Sequence, residues 1–119
     1  MALNLNKVIL AGRLTSAPEL KTTTSGLNVT SFSIAVDRRT KEKSTDFINC
    51  VAWRGSAEFI CKYFTKGSPI CITGNIQMRK WQDKDGSNRY AMEVIVDEAH
   101  FVESKGETFE PVEEGSLPF

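Results

Sequence analysis

Hydrophobic and polar residues alternate along much of the chain in the two-residue rhythm that is typical of half-buried β-strands. The alternation is clearest in five stretches, namely residues 7–14, 32–36, 47–53, 70–78 and 90–96. Each has a length that is ordinary for a strand. We therefore predict five strands.

One segment between the third and fourth predicted strands repeats its apolar residues at helical spacing instead. This spacing runs from Phe59 to Phe64, with Ser56 where a helix N-cap is expected and Gly67 where a C-terminal glycine cap is expected. Three strands, a helix and two strands is the element order of an OB-fold, a five-stranded Greek-key barrel. The predicted class is therefore all-β with one helix, although the pattern alone also permits other small β-barrels.

The composition suits one globular domain in the cytoplasm. The chain has 119 residues, of which 40% are hydrophobic and 25% charged, close to the average for such domains. No apolar run reaches the length of a membrane span, and the first residues lack a signal-peptide pattern. Cys50, Cys61 and Cys71 form no C-x-x-C pair, which favours buried thiols in a reducing compartment over a metal site. We expect no metal and no cofactor.

Charge is unevenly distributed although the whole chain is formally neutral. Residues 1–102 carry fourteen Lys and Arg against ten Asp and Glu, whereas residues 103–119 carry one Lys and five Glu. Alternation also stops near Glu103, after which Gly, Pro and Glu accumulate. We therefore predict a folded domain over residues 1–102 and a short, flexible acidic tail over residues 103–119. A solvated surface with a frayed end would give a similar difference in charge.

The third predicted strand carries two aromatic residues on one face. Phe47 and Trp53 share that face with Asn49, because side chains two positions apart on a strand point the same way. The residues of the opposite face are small and apolar, as the interior of a narrow barrel requires, namely Ile48, Cys50 and Ala52. This assignment places both aromatics on the surface. For one strand by itself, the reverse assignment with both in the core is equally compatible.

The turn between the last two strands combines aromatic and basic residues. Trp81 stands beside Lys80 and close to Gly86, a poor place to bury an indole. Bases stack on aromatic faces while Lys and Arg neutralise phosphates, so this composition favours a single strand with exposed bases. A protein that recognises double-stranded DNA would need a helix with polar residues that enters the major groove. The one predicted helix instead uses its aromatic residues for packing.

Four motifs follow one another along the chain, NKVILAGRL at residues 6–14, FSIAVDR at 32–38, DFINCVAW at 46–53 and ITGNIQMRKWQDKDGSNRY at 72–90. Together they resemble the bacterial single-stranded DNA-binding protein family over nearly all of residues 5–102. The resemblance implies an OB-fold and binding of single-stranded DNA, largely without sequence preference, during replication, recombination and repair. It also implies assembly into a homotetramer.

The resemblance assigns base stacking to Phe47, Trp53 and Trp81, in agreement with the face assignment. Many relatives place another aromatic residue in the loop where this chain has Thr40. That loop is basic here, which suits phosphate contact better than stacking. The alternative is a charged surface loop that has no role in binding. The predicted phosphate-binding residues are Arg38, Arg39, Lys41, Arg79, Lys80, Lys84 and Arg89.

Motifs of the common enzyme classes do not occur in the sequence. It has no P-loop, no nucleophile-elbow serine and no H-x-x-x-H metal pair, and its one histidine is His100. Asp83 and Asp85 would suit a metal-dependent nuclease, but acidic residues beside Gly86 are ordinary turn chemistry. We therefore predict a binding protein and not an enzyme. Besides a DNA-binding protein and an enzyme, the third class of function considered is an adaptor that binds only proteins.

The last seven residues keep part of the family's C-terminal motif. Relatives usually carry a long linker rich in Gly, Gln and Pro, then several acidic residues and Ile-Pro-Phe or Leu-Pro-Phe. Here residues 103–112 form the whole linker, and two acidic residues replace the usual run. We expect this tip to recruit DNA replication and repair proteins and not to contact DNA. The alternative is that this end of the chain has no role. The tip residues are Glu113, Glu114, Leu117, Pro118 and Phe119.

Overall fold

The computed structural model describes residues 3–102, which form six strands and one helix. Helix α1 (Arg54–Tyr63) separates the first four strands from the last two. The strands are β1 (Val8–Leu14), β2 (Lys21–Thr22), β3 (Asn28–Asp37), β4 (Thr45–Trp53), β5 (Pro69–Gln82) and β6 (Asn88–Phe101). The predicted class, mostly strand with one helix, is confirmed. The predicted domain boundary near Glu103 and the predicted tail lie outside the described residues.

Five of the strands form a ring of pairings, and the two-residue β2 extends it beside β3. The sheet order is β1-β5-β6-β4-β3-β2, and β1 also pairs with β3. Every pairing is antiparallel except that between β4 and β6. Because β2 was not predicted, α1 lies between the fourth and fifth strands, which is the predicted place between the third and fourth long strands.

The inside of the ring holds the apolar core. Side chains that alternate along the five long strands are buried there, and α1 adds Ala57 and Ile60 from its inner face. Burying a Leu, Ile, Val or Phe side chain contributes about 1.5–3 kcal/mol, so this alternation decides which face of each strand points outward. The other core residues are Leu14, Phe32, Ile34, Cys50, Ala52, Phe64, Ile70, Ile72, Val94 and Val96.

The ends of α1 differ from the prediction. The helix begins at Arg54, directly after β4, and its N-cap residue Trp53 makes no side-chain cap hydrogen bond. Ser56 is therefore inside the helix, and its hydroxyl donates to the Asp97 carbonyl at 3.3 Å. The helix ends at Tyr63, and Gly67 lies beyond it in a turn, with φ of 83° and its N–H donating to the Leu14 carbonyl. The N-cap was misplaced because β4 runs into α1 without a loop, and the C-cap was misplaced because the backbone is already extended at Phe64.

The β5–β6 hairpin is longer than the ring requires. Both strands have fourteen residues, and from Ile76 to Gln82 the side chains of β5 are exposed. A register shift between Thr73 and Gly74 marks where the hairpin leaves the ring. At Gly74 any Cβ would overlap the Ile95 carbonyl, so only glycine allows the two strands to approach this closely.

Candidate nucleic-acid interface

The outer face of β4 exposes both of its aromatic side chains. Phe47 is 67% exposed and Trp53 is 39% exposed, whereas Cys50 and Ala52 on the opposite face are buried. On the neighbouring strand, Ala35 pairs with Phe47 and Val29 pairs with Trp53. The partner residues are smaller than the rings, so they leave the aromatic surfaces open to solvent. The predicted orientation of this strand is confirmed.

Trp81 lies on the same face of the sheet. Val51 of β4 pairs with Ile95 of β6, and Ile95 pairs with Asn75 of β5. Paired residues point to the same side, and so do residues two apart on a strand, so the outer face continues from Asn75 to Trp81. The indole is 40% exposed. The structure thus brings the three predicted stacking residues to one continuous surface, although they come from two different strands.

The predicted phosphate-binding arginine next to this tryptophan is already paired. Nε of Arg79 donates to Oε2 of Glu93 across the hairpin at 3.0 Å, and the Arg79 guanidinium carbon lies 4.5 Å from the centre of the Trp81 ring. Arg79 and Glu93 also line a concavity of about 370 Å³ with Asn49 and Val51 of the outer face of β4. The middle of the face is therefore polar and carries both signs of charge.

Two further predicted arginines are held by carboxylates. Arg38 donates from Nε and Nη2 to Asp46 at 3.0–3.2 Å, and Arg89 donates from Nε to Asp83 at 2.7 Å. The hydrogen bond with Asp46 raises the pKa of Arg38, and the same bond lowers the pKa of Asp46. Both arginines are exposed. Each carboxylate therefore occupies part of a guanidinium that a DNA phosphate would contact.

The predicted lysines differ from these arginines. Within residues 3–102, Lys41, Lys80 and Lys84 form no ion pair. Lys80 alternates with Trp81 along β5, so it points to the other face of the hairpin, opposite Tyr90. There a concavity of about 260 Å³ is lined by Lys80, Trp81, Gln82, Asn88 and Tyr90. The hairpin therefore carries basic side chains on both faces, although those beside Trp81 are paired with carboxylates.

The loop between β3 and β4 holds three of the predicted phosphate-binding residues, Arg38, Arg39 and Lys41. The Arg38 N–H donates to the Ser44 carbonyl at 2.9 Å and closes the loop at its base. Thr40, where many relatives are expected to place an aromatic residue, donates its hydroxyl to the Glu42 carbonyl at 2.6 Å. The loop, which also holds Arg39 and Lys41, adjoins the end of β4 that carries Phe47.

Groups associated with catalysis or metal binding do not gather in the described part of the chain. Within it, no three His, Cys, Asp or Glu residues are placed to hold a metal ion. His100 contacts Glu98 at 3.3 Å on β6. Burial raises the pKa of the Cys50 thiol to about 12, so this thiol stays protonated at neutral pH. The single helix described is too short and too polar to cross a membrane.

Comparisons with known proteins identify close relatives. The sequence model of the single-strand binding protein family matches residues 5–102. The chain is 43% identical over 106 residues to a protein of Oceanobacillus iheyensis named single-stranded DNA-binding protein, and the match covers 86% of this chain and 66% of the relative. It is 45% identical over 105 residues to single-stranded DNA-binding protein 1 of Staphylococcus aureus, covering 85% and 67% of the two chains. The chain thus spans about two thirds of the length of these relatives.

Proposed function

The chain belongs to the single-strand binding protein family, and on this premise we propose that it binds single-stranded DNA largely without sequence preference. The observation that carries the proposal is the shared outer face of Phe47, Trp53 and Trp81, all of them exposed. Stacking on aromatic rings tolerates any sequence because every base has a π face. The three rings would therefore support successive bases of one strand.

Basic side chains beside this face and on the opposite side of the hairpin would neutralise the phosphates. Lys80 and Lys84 on the hairpin and Lys41 on the β3–β4 loop are available without breaking an ion pair among the described residues. Arg39 belongs to the same loop. The other three arginines contribute when phosphate replaces their carboxylate partners, namely Arg38, Arg79 and Arg89.

Family membership also confirms two of the sequence predictions. The family is an OB-fold family of DNA-binding proteins without enzymatic activity, in agreement with the names of the relatives. Its usual role is in DNA replication, recombination and repair. We infer that this chain protects single-stranded DNA in the same processes, in the cytoplasm.

Self-association into a homotetramer is part of the proposal. The register between β1 and β3 covers Arg13 and Leu14, so within the described residues the edge of β1 from Val8 to Ala11 pairs with no strand on that side. Apolar side chains are exposed on β1 and on the hairpin, namely Ile9, Ile76, Met78 and Met92. Unpaired edges and exposed apolar patches mark surfaces that other chains cover.

Recruitment of other proteins is proposed for the tip, which lies outside the described residues. It combines acidic and apolar side chains, Glu113, Glu114, Leu117, Pro118 and Phe119, which suit a basic groove with an apolar pocket. Deleting residues 113–119 should leave affinity for oligo(dT) intact and remove partners from a pull-down with bacterial lysate. Identical partners for the full-length and shortened chains would contradict this role.

A native gel with an unstructured oligonucleotide separates the three classes of function. We expect the protein to retard oligo(dT) without cleaving it, and to retard an oligonucleotide of mixed sequence to a similar degree. Cleavage would indicate a nuclease, and the absence of a shift would indicate an adaptor that binds only proteins. The first outcome supports the proposed function and the other two contradict it.

A further inference from the structure

The proposed DNA face contains a carboxylate that the proposed function does not use. Glu93 of β6 accepts a hydrogen bond from Nε of Arg79 at 3.0 Å. Its side chain is 18% exposed, whereas that of Arg79 is 55% exposed. Both residues line the concavity beside Asn49 of β4. The carboxylate therefore lies at the base of the face and the guanidinium lies above it, where a strand of DNA would pass.

The carboxylates of the other two carboxylate–arginine pairs are more exposed than that of Glu93. The Asp46 side chain is 46% exposed and Asp83 is 24% exposed, and exposed ion pairs contribute little to stability. Arg79 has a second contact besides Glu93, because its guanidinium lies 4.5 Å from the centre of the Trp81 ring. A cation over an aromatic ring adds about 0.5–1 kcal/mol at exposed sites. Two partners thus hold Arg79 in one place.

We propose that Glu93 is an intramolecular competitor for the DNA phosphate that Arg79 binds. In the free protein Glu93 keeps the guanidinium on Trp81, and a bound strand exchanges this carboxylate for a phosphate. The exchange is chemically simple because both anions accept charge-assisted hydrogen bonds from guanidinium. The inference rests on the proposed function, and it assigns to Glu93 the role of limiting affinity.

The proposal has a specific consequence for the salt dependence of binding. A phosphate that is neutralised by protein releases a cation from single-stranded DNA, with a slope of about −0.7 in log affinity against log salt. When Arg79 leaves Glu93, the uncovered carboxylate attracts a cation from solution. The two changes offset each other, so Arg79 contributes little to the slope while Glu93 is present.

Replacing Glu93 with its neutral isostere tests this consequence. In the Glu93→Gln variant we expect oligo(dT) to bind about three- to tenfold more tightly at low salt, with a slope that is steeper by about 0.7. The matched control is Glu98→Gln, which removes the same charge from another glutamate of β6, one that is exposed and contacts His100 instead of an arginine. This variant should leave the slope unchanged.

A double-mutant cycle with Arg79 distinguishes competition from general repulsion. If Glu93 acts through Arg79, adding Glu93→Gln to an Arg79→Gln protein should leave the slope unchanged. A change that persists without Arg79 would overturn the proposal, and so would a Glu93→Gln effect equal to that of Glu98→Gln. Circular dichroism checks the fold, and Glu93→Thr serves as a second neutral variant if the first is unfolded.

The proposed function and this inference fail in different ways. A parent protein that does not bind oligo(dT) at all overturns the proposed function. A parent that binds oligo(dT), together with a folded Glu93→Gln variant that binds with the same or lower affinity, overturns the inference alone.

Discussion

Trp81 is the residue on which the stacking proposal depends most, because it extends the aromatic face from β4 onto the hairpin. Removing one base-stacking aromatic side chain costs about 1–3 kcal/mol, and each 1.4 kcal/mol corresponds to about a tenfold change in affinity. We therefore expect Trp81→Ala to weaken oligo(dT) binding about tenfold or more. The variant should also lose a large part of the quenching of tryptophan fluorescence that oligo(dT) causes in the parent protein.

The control for this variant is Tyr63→Ala, since Tyr63 is also exposed but lies on α1 against Phe59 and Phe101. It should bind oligo(dT) like the parent. A folded Trp81→Ala protein with parental affinity would contradict the stacking role of Trp81.

For single residues, the sequence predicted which side chains are exposed better than it predicted which residues they contact. Phe47 and Trp53 were correctly placed outside because the alternate residues of β4 suit the core. The pairing of Arg79 with Glu93 was missed, as were the partners of Arg38 and Arg89, because each depends on the register between two strands. Arg79 and Glu93 are separated by fourteen positions along the chain, and nothing in the local sequence indicates that register.

Among the elements, the β5–β6 hairpin should carry much of the salt dependence. Lys80 and Lys84 lie on it, and within the described chain neither is held by an acidic side chain. Replacing both with Ala should flatten the slope of log affinity against log salt, by about 0.7 for each phosphate that the hairpin then leaves unneutralised.

The decrease in affinity should be similar for oligonucleotides of different composition, since phosphate contacts carry no base information. Lys62→Ala with Lys66→Ala, in α1 and the turn after it, removes the same charge as a control and should leave the slope unchanged. An unchanged slope in the hairpin variant would instead place the phosphate contacts elsewhere.

The elements themselves were largely predictable, and their ends were not. All five long strands were found because burial imposes alternation on them. The outer half of the hairpin continues beyond Met78 without burial, since its two strands satisfy each other's backbone hydrogen bonds. β2 has only two residues, both exposed, so it leaves no periodic pattern. The predicted caps Ser56 and Gly67 were wrong because α1 starts directly after β4 and ends before Phe64, whose backbone is extended.

For the whole molecule, the unpaired edge of β1 and the exposed apolar side chains predict assembly. Light scattering should give a mass about four times the chain mass of 13.3 kDa, both alone and with oligo(dT) after subtraction of the DNA. Ile9→Glu, which places a charge on exposed β1, should lower this mass if β1 forms a contact between chains. A mass of one chain for the parent at micromolar concentration would contradict the homotetramer.

Binding of single-stranded DNA to the aromatic face is the central claim, and a fluorescence titration tests it most directly. Trp53 and Trp81 are the two tryptophans of the chain, and both belong to the proposed face. We expect oligo(dT) to quench their emission saturably, and increasing salt to reverse the quenching. A duplex of the same length should quench far less, because its bases are stacked on one another. Unchanged emission with oligo(dT), or equal quenching by the duplex, would contradict the account.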